Sequence, residues 1–188
     1  MGTISSSCYR LGSRGIPTAL LSIKDQLAGF DPPVFCLGKG KTMSDYNVFN
    51  LGDVELQSGV VLPDIKLAYK TYGALNQARS NVVVLPTFYT GDHIRNEGFF
   101  GTGRAIDPAR HFIVSVNMFG NGYSSSPSNT PPPFDGPRFP AITLHDNVAC
   151  QHRLLTEEFG IESVALVAGW SMAGCQSYQW AAQFPDMV

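Results

Sequence analysis

Charge is scarce in this sequence: only 15% of its 188 residues are Asp, Glu, Lys or Arg, and the formal balance is −2. So small a charge gives no electrostatic basis for binding nucleic acid or an anionic membrane surface. Long apolar runs are missing too. Hydrophobic residues make up 44% of the chain, yet no stretch approaches the ~18–20 apolar residues a helix needs to span a bilayer. Cysteine is limited to Cys8, Cys36, Cys150 and Cys175. With no C-x-x-C spacing and no paired pattern, they argue against a disulfide scaffold or zinc ribbon and for reduced thiols in the cytoplasm. Histidine is absent after His152, and internal repeats are absent altogether. What remains is an ordinary globular composition, long enough for one domain that buries roughly 70% of its unfolded surface.

The first 43 residues differ from the rest. A serine run at Ser5–Ser7, Arg10 and Arg14, and no acidic residue before Asp25 make a faint match to a mitochondrial transit peptide. Met43 could equally be an alternative start. The expectation is an N-terminal extension over 1–43 and a folded domain over 44–188, cytoplasmic, with a mitochondrial location as the alternative.

Patterning begins near Tyr46. Val54–Gln57 alternate, Ser58-Gly59 supplies a turn, and Val60–Leu62 and Leu67–Tyr72 read as strand. Asn81–Leu85, His111–Val116 and Ser163–Ala168 are continuous apolar runs, as in strands covered on both faces. Between the last two, Leu144, Val148, Leu155 and Phe159 recur at helical spacing. Thr143 is the expected N-cap, Asp146 its N3 partner, and Gly160 the stop. An antiparallel start followed by strands separated by helices predicts an α/β fold with a doubly wound, mostly parallel sheet. Residues 120–140, with six prolines and four serines, read as a loop over one sheet face rather than a linker.

The segment 163–182 organises the chain. An apolar strand meets Gly169-Trp170-Ser171-Met172-Ala173-Gly174, and a helical pattern follows. That is the strand–turn–helix context of a nucleophile elbow, in which a sharp turn lifts a serine hydroxyl out of the sheet. Small residues at Gly169 and Ala173 let strand and helix approach. The alternative is a serine that merely caps the helix. Cys175, one turn on, reads as a packed small residue. An acyl-transfer site at Ser171 needs two oxyanion donors: the N–H of Met172, and one from Pro86-Thr87-Phe88-Tyr89-Thr90-Gly91 after the third strand. The general base is the difficulty, because the order for this fold is serine, acid, histidine, whereas His93, His111, His145 and His152 all precede Ser171. His93 follows the proposed oxyanion loop and is the one candidate to line the pocket.

The residues from Tyr46 onward resemble the N-terminal half of the homoserine O-acetyltransferase family. The resemblance is carried by LAYKTYG at 67–73 with Leu75-Asn76, by Thr90-Gly91-Asp92, and by RAIDPARHFIVSVNMFG at 104–120. It continues through FPAITLHDNV at 139–148, G-W-S-M at 169–172, Gln176, Trp180-Ala181 and Pro185. It implies an α/β-hydrolase fold, incomplete here at its C-terminus, and an enzyme of methionine biosynthesis. Such an enzyme moves an acetyl group from acetyl-CoA to homoserine through an acyl-serine. It implies Ser171 as nucleophile and the Tyr89 and Met172 backbone N–H groups as oxyanion donors. The triad Asp and His would lie outside this chain. It further implies small-molecule substrates, acetyl-CoA as a substrate rather than a bound cofactor, no metal, and admits a homodimer. The family's loop usually reads His-Ala-Leu-Thr-Gly where this chain has Thr87-Phe88-Tyr89-Thr90-Gly91, and Trp170 and Ala173 replace two elbow glycines. Both differences touch the acyl pocket, so a serine esterase of the same fold, with water as acceptor, stays open. So does a truncated chain that is catalytically dead or acts only in binding. Val188 lies seventeen residues past Ser171. The expectation is therefore that residues 1–188 alone are nearly inactive, with the SVALVAG strand left as an unprotected edge.

Overall fold

The computed structural model describes residues 45–188, so the expected extension over 1–43 lies outside the described residues. Strand β1 (Asn47–Glu55) and strand β2 (Val61–Tyr72) form an antiparallel pair. The turn expected at Ser58-Gly59 joins them, with Gly59 N–H donating to the Leu56 carbonyl at 2.8 Å. Strand β3 (Val82–Pro86) and strand β4 (Phe112–Val116) are buried at every position. They pair in parallel, from Val82 opposite Phe112 to Pro86 opposite Val116. Strand β5 (Leu166–Val167) pairs in parallel with β3, which makes the sheet order β1-β2-β4-β3-β5.

The two continuous apolar runs are buried on both faces because the sheet is covered on both faces. Val82 and Val84 point into the larger core, with Leu62, Leu67, Val114, Leu154 and Trp180. Val83 and Leu85 point the other way, against Ile113 and Phe100. Each fully buried aliphatic side chain is worth about 1.5–3 kcal/mol of transfer free energy.

Among the described residues three α-helices accompany the sheet: α1 (His93–Asn96), α2 (Leu144–Arg153) and α3 (Met172–Gln183). At the start of α2 the Thr143 hydroxyl accepts the Asp146 N–H at 3.2 Å, and Asp146 Oδ2 accepts the Thr143 N–H at 2.8 Å. Asp146 Oδ1 also accepts the Gln57 N–H at 2.7 Å, which ties the helix start to the β1–β2 turn.

Two elements differ from expectation. The helical pattern over Thr143–Phe159 is α-helical only to Arg153, and Leu154–Glu158 forms a wider π-type turn. The Thr156 hydroxyl donates to the carbonyls of His152 and Arg153 at 3.0 and 3.3 Å, competing with the regular ladder. The stop at Gly160 stands: it has φ +59°, and Arg79 Nη1 donates to the Phe159 and Gly160 carbonyls at 2.8 Å each. The strand expected over 163–168 is a two-residue ladder at the sheet edge, with Leu166 40% exposed. Its pairing is extended by Ala165 N–H to the Val82 carbonyl and Ala168 N–H to the Val84 carbonyl.

The proline- and serine-rich segment is not a linker. Its start runs along the edge of β2 instead of lying over a face. Ser124 Oγ accepts the Ala68 N–H and Ser125 Oγ the Lys66 N–H, both at 2.9 Å, so serine hydroxyls stand in for a strand where β4 has ended. No helix of the described residues is long and apolar enough to cross a membrane.

Candidate active site

Ser171 sits at the junction of β5 and α3 with φ 54° and ψ −122°. A non-glycine residue in that region costs about 1–3 kcal/mol and persists only where its surroundings enforce it. The enforcement is visible two residues to either side. A Cβ on Gly169 would overlap the Ala173 Cβ and lie 2.7 Å from the Ala173 carbonyl carbon. Strand end and helix start are thus in backbone contact, and the chain must turn sharply between them. The Ser171 side chain makes no capping hydrogen bond. That geometry is unlike a capping serine, whose hydroxyl accepts from N2 or N3. Ser171 is exposed, with its hydroxyl free of protein partners among the described residues.

Tyr89 lies in the loop after β3, where Gly91 N–H donates to the Phe88 carbonyl at 2.8 Å and Thr90 has φ 63°. Neither the Tyr89 N–H nor the Met172 N–H donates to a protein group among the described residues. Met172 occupies the first turn of α3, where the helix end carries partial positive charge; the next N–H groups along, of Ala173 and Cys175, donate to the Trp170 and Ser171 carbonyls at 2.9 and 3.2 Å. Tyr89 and Met172 line one cavity of about 710 Å³, with Thr90, Gly91 and Asp92 from the same loop. Met118, Phe119, Asn121, Tyr123 and Ile142 complete much of the lining. The structure therefore brings the two expected donors to one cavity, with Ser171 adjoining Met172. Tyr89 and Trp170 are 72% and 66% exposed.

The histidines are not brought to Ser171. His93 does not line the cavity, contrary to the expectation, but is fully buried. Its Nε2 lies 3.2 Å from Asp45 Oδ1 and its Nδ1 3.0 Å from Asn117 Nδ2. His111 Nδ1 accepts the Asp107 N–H at 3.1 Å. His145 sits 4.0 Å from Asp146 at the start of α2. His152 stacks on Phe184 at 3.9 Å between ring centres, and burial pushes its pKa below the ordinary 6.5 against an opposing pull from Glu157. None is hydrogen-bonded to Ser171. Cys175 is exposed rather than packed, because its side of α3 faces away from the sheet. Cys150 is buried, and desolvation pushes its thiol up to about 12. Among the described residues no group of three or more His, Cys, Asp or Glu converges as a metal site would.

Sequence reasoning missed Asp92, Asn121 and Tyr123 as cavity residues. The signal for Asn121 and Tyr123 was the N-G-Y run after β4, and for Asp92 the Thr90-Gly91-Asp92 run after β3, since loops at strand ends collect functional side chains.

The sheet with its strand-to-helix turn at Ser171 has an α/β-hydrolase architecture, and a family model described as alpha/beta hydrolase fold matches residues 81–188. The chain belongs to that family. It is 45% identical over 144 residues to an ethyl acetate hydrolase of Pseudomonas veronii, a match covering 76% of this chain and 41% of that protein. A homoserine O-acetyltransferase of Chlorobium chlorochromatii is 40% identical over 137 residues, covering 69% of this chain and 38% of that protein. The solved structure of the acetyl esterase MekB superposes with a TM-score of 0.75 at 45% identity, covering 76% of this chain and 42% of that one. The homoserine O-acetyltransferase resemblance thus holds, and esterases match more strongly. The chain spans about two fifths of the length of the curated relatives it matches.

Proposed function

We propose that Ser171 is the nucleophile of a serine esterase acting on short acyl esters, with water as the final acceptor. The observation that carries this reading is the strained Ser171 turn, free of any capping bond, beside a cavity lined by Tyr89 and Met172. Ser171 Oγ would attack the ester carbonyl, forming the Oγ–C bond while the carbonyl oxygen becomes an oxyanion. The Tyr89 and Met172 N–H groups would hold that charge, a role in which one donor is worth about 10²–10³ in kcat. Collapse breaks the ester C–O bond, the alcohol leaves with the proton taken from Ser171, and water then cleaves the acyl-serine. With no described histidine hydrogen-bonded to Ser171, the base and its orienting acid are assigned to sequence outside residues 45–188. The esterase matches at 45% identity support water over homoserine as acceptor.

The second reading, acetyl transfer from acetyl-CoA to homoserine, is favoured by the ordered motifs from LAYKTYG to G-W-S-M and by the 40% match to a homoserine O-acetyltransferase. One experiment separates them. The full-length protein is incubated with ethyl acetate, and separately with acetyl-CoA with and without homoserine, and acetate, CoA and O-acetylhomoserine are followed. Acetate release from the ester without O-acetylhomoserine is expected, and Ser171→Ala should abolish it. O-acetylhomoserine as the dominant product would move the assignment to the transferase. Full activity in S171A would remove Ser171 from the chemistry.

A further inference from the structure

Four fully buried polar groups connect α2, α3 and the loop after β3 in one chain of hydrogen bonds. Trp180 Nε1–H donates to Gln151 Oε1 at 2.9 Å. Gln151 Nε2–H donates to Gln176 Oε1 at 2.6 Å. Gln176 Nε2–H donates to the Thr87 carbonyl at 2.9 Å. Trp180, Gln151, Gln176 and Thr87 are each 0% exposed. The direction of the chain is fixed by its ends. An indole N–H can only donate and a backbone carbonyl can only accept, so each glutamine between them has one allowed amide orientation.

The chain ends where the proposed site begins. Thr87 is two residues before Tyr89, and two further bonds hold it: its N–H donates to the Val116 carbonyl and its Oγ1 accepts the Met118 N–H, each at 2.9 Å. Gln176 is one helical turn after Met172, on the same face of α3. Its bond to Thr87 therefore joins the helix that presents the Met172 N–H to the loop that presents the Tyr89 N–H. The described residues give no other side-chain hydrogen bond from α3 to that loop.

We propose that Gln176 is a positioning residue that sets the separation of the two oxyanion donors, and that Gln151 and Trp180 hold it in the orientation that does so. This rests on the esterase reading of Ser171. A core that merely needed filling would be satisfied by apolar side chains. A polar chain in this place requires every member to be bonded, since an unpaired buried group is costly. That requirement permits one spacing between helix and loop.

The test uses the full-length protein with p-nitrophenyl acetate as substrate and a methyl trifluoromethyl ketone as the tetrahedral analogue. The ketone forms an Oγ–C bond and places an oxyanion where the donors point, so its affinity reads donor position, whereas KM for the ester reads ground-state binding. Gln176→Met keeps length and loses the donor. It is expected to lower kcat about 10- to 100-fold, as for a displacement of about 1 Å at a reacting centre. KM should change little, and the ketone should weaken by the same factor as kcat. Trp180→Phe leaves the Gln176–Thr87 bond in place but removes the fixed end, and should shift kcat and ketone affinity the same way by a smaller factor. If Q176M does not fold, W180F decides alone. Variants that melt earlier yet keep wild-type kcat and ketone affinity would overturn the positioning role and leave the esterase reading intact. A wild-type protein with no esterase activity, or one unaffected by S171A, would overturn both.

Discussion

Replacing Gly169 by alanine adds one methyl group at the point where β5 and α3 touch. The new Cβ would overlap the Ala173 Cβ and lie 2.7 and 2.9 Å from the Ala173 carbonyl carbon and oxygen. Carbon atoms rest at about 3.5–4.0 Å, so the helix start must retreat by at least about 0.8 Å. The obstacle is backbone, and no side-chain rotation removes it. Inserting a methylene into a packed site costs about 1–3 kcal/mol, and the same retreat carries Ser171 and Met172 with it. A displacement near 1 Å costs on the order of a hundredfold in rate, so Gly169→Ala should lose turnover out of proportion to its loss of stability. Thermal melting and p-nitrophenyl acetate hydrolysis on the full-length protein measure the two. Adding Ala173→Gly removes the Cβ–Cβ overlap but not the carbonyl contacts, so the double variant should recover only part of each loss. A G169A protein with unchanged melting and unchanged turnover would refute the close-contact argument. Full recovery in the double variant would show that the carbonyl contacts carry no weight.

Two further expectations concern the frame around the site. Thr143→Ala removes the hydroxyl that accepts the Asp146 N–H at the start of α2 and should cost about 1 kcal/mol; chemical denaturation measures it, and an unchanged midpoint would deny the cap its role. His152 is held below its ordinary 6.5 in the fold chiefly by burial, so the unfolded chain binds its proton first, and stability should fall as pH drops from 6.5 toward the folded value while staying flat above. His152→Phe should remove that part of the slope in melts between pH 7.5 and 5.5, and an identical slope would assign it to other groups.

What could be read from the sequence was whatever depends on near neighbours. The sharp strand-to-helix turn at Ser171 needs only small residues at Gly169 and Ala173 after an apolar run, and those are local facts. The α2 capping box needs only Thr143 and Asp146 three residues apart. The covered strands Val82–Pro86 and Phe112–Val116 declare themselves as unbroken apolar runs. The failures share a different cause. His93 follows the loop after β3 and, from its place in the sequence, is free to line the cavity. Its burial is decided by Asp45, 48 residues away, and Asn117, 24 residues away. The wide turn after Arg153 is the exception, a local feature: the Thr156 hydroxyl finds carbonyls three and four residues back, which the spacing of apolar residues does not register. Gln176 was legible only as one residue of the family resemblance, with no role attached, because that role depends on Thr87, 89 positions earlier.

The site exists because two strands far apart in sequence are neighbours and point the same way. Val83 pairs with Leu166 and Val84 with Val167, in parallel. Counting forward from the second pair, Tyr89 is five residues past Val84 and Ser171 four past Val167, so both loops leave the same edge at nearly the same height. An antiparallel pairing would have sent them to opposite edges. Ligands of open α/β sheets bind at that carboxyl edge for this reason. Parallel pairing alone fixes the edge but not the gap between helix and loop. The Gly169–Ala173 contact sets how near α3 stands to β5, and the Gln176–Thr87 bond sets how near it stands to the loop after β3. Helix α3 is thereby gauged against both strands that feed the site, by shape on one side and by a directional hydrogen bond on the other. The two gauges act one turn apart on the same helix, at Ala173 and Gln176. A helix held at both points has little freedom to roll or slide, and the Ser171 turn and the Met172 N–H keep their places relative to Tyr89 without either residue being bonded to it.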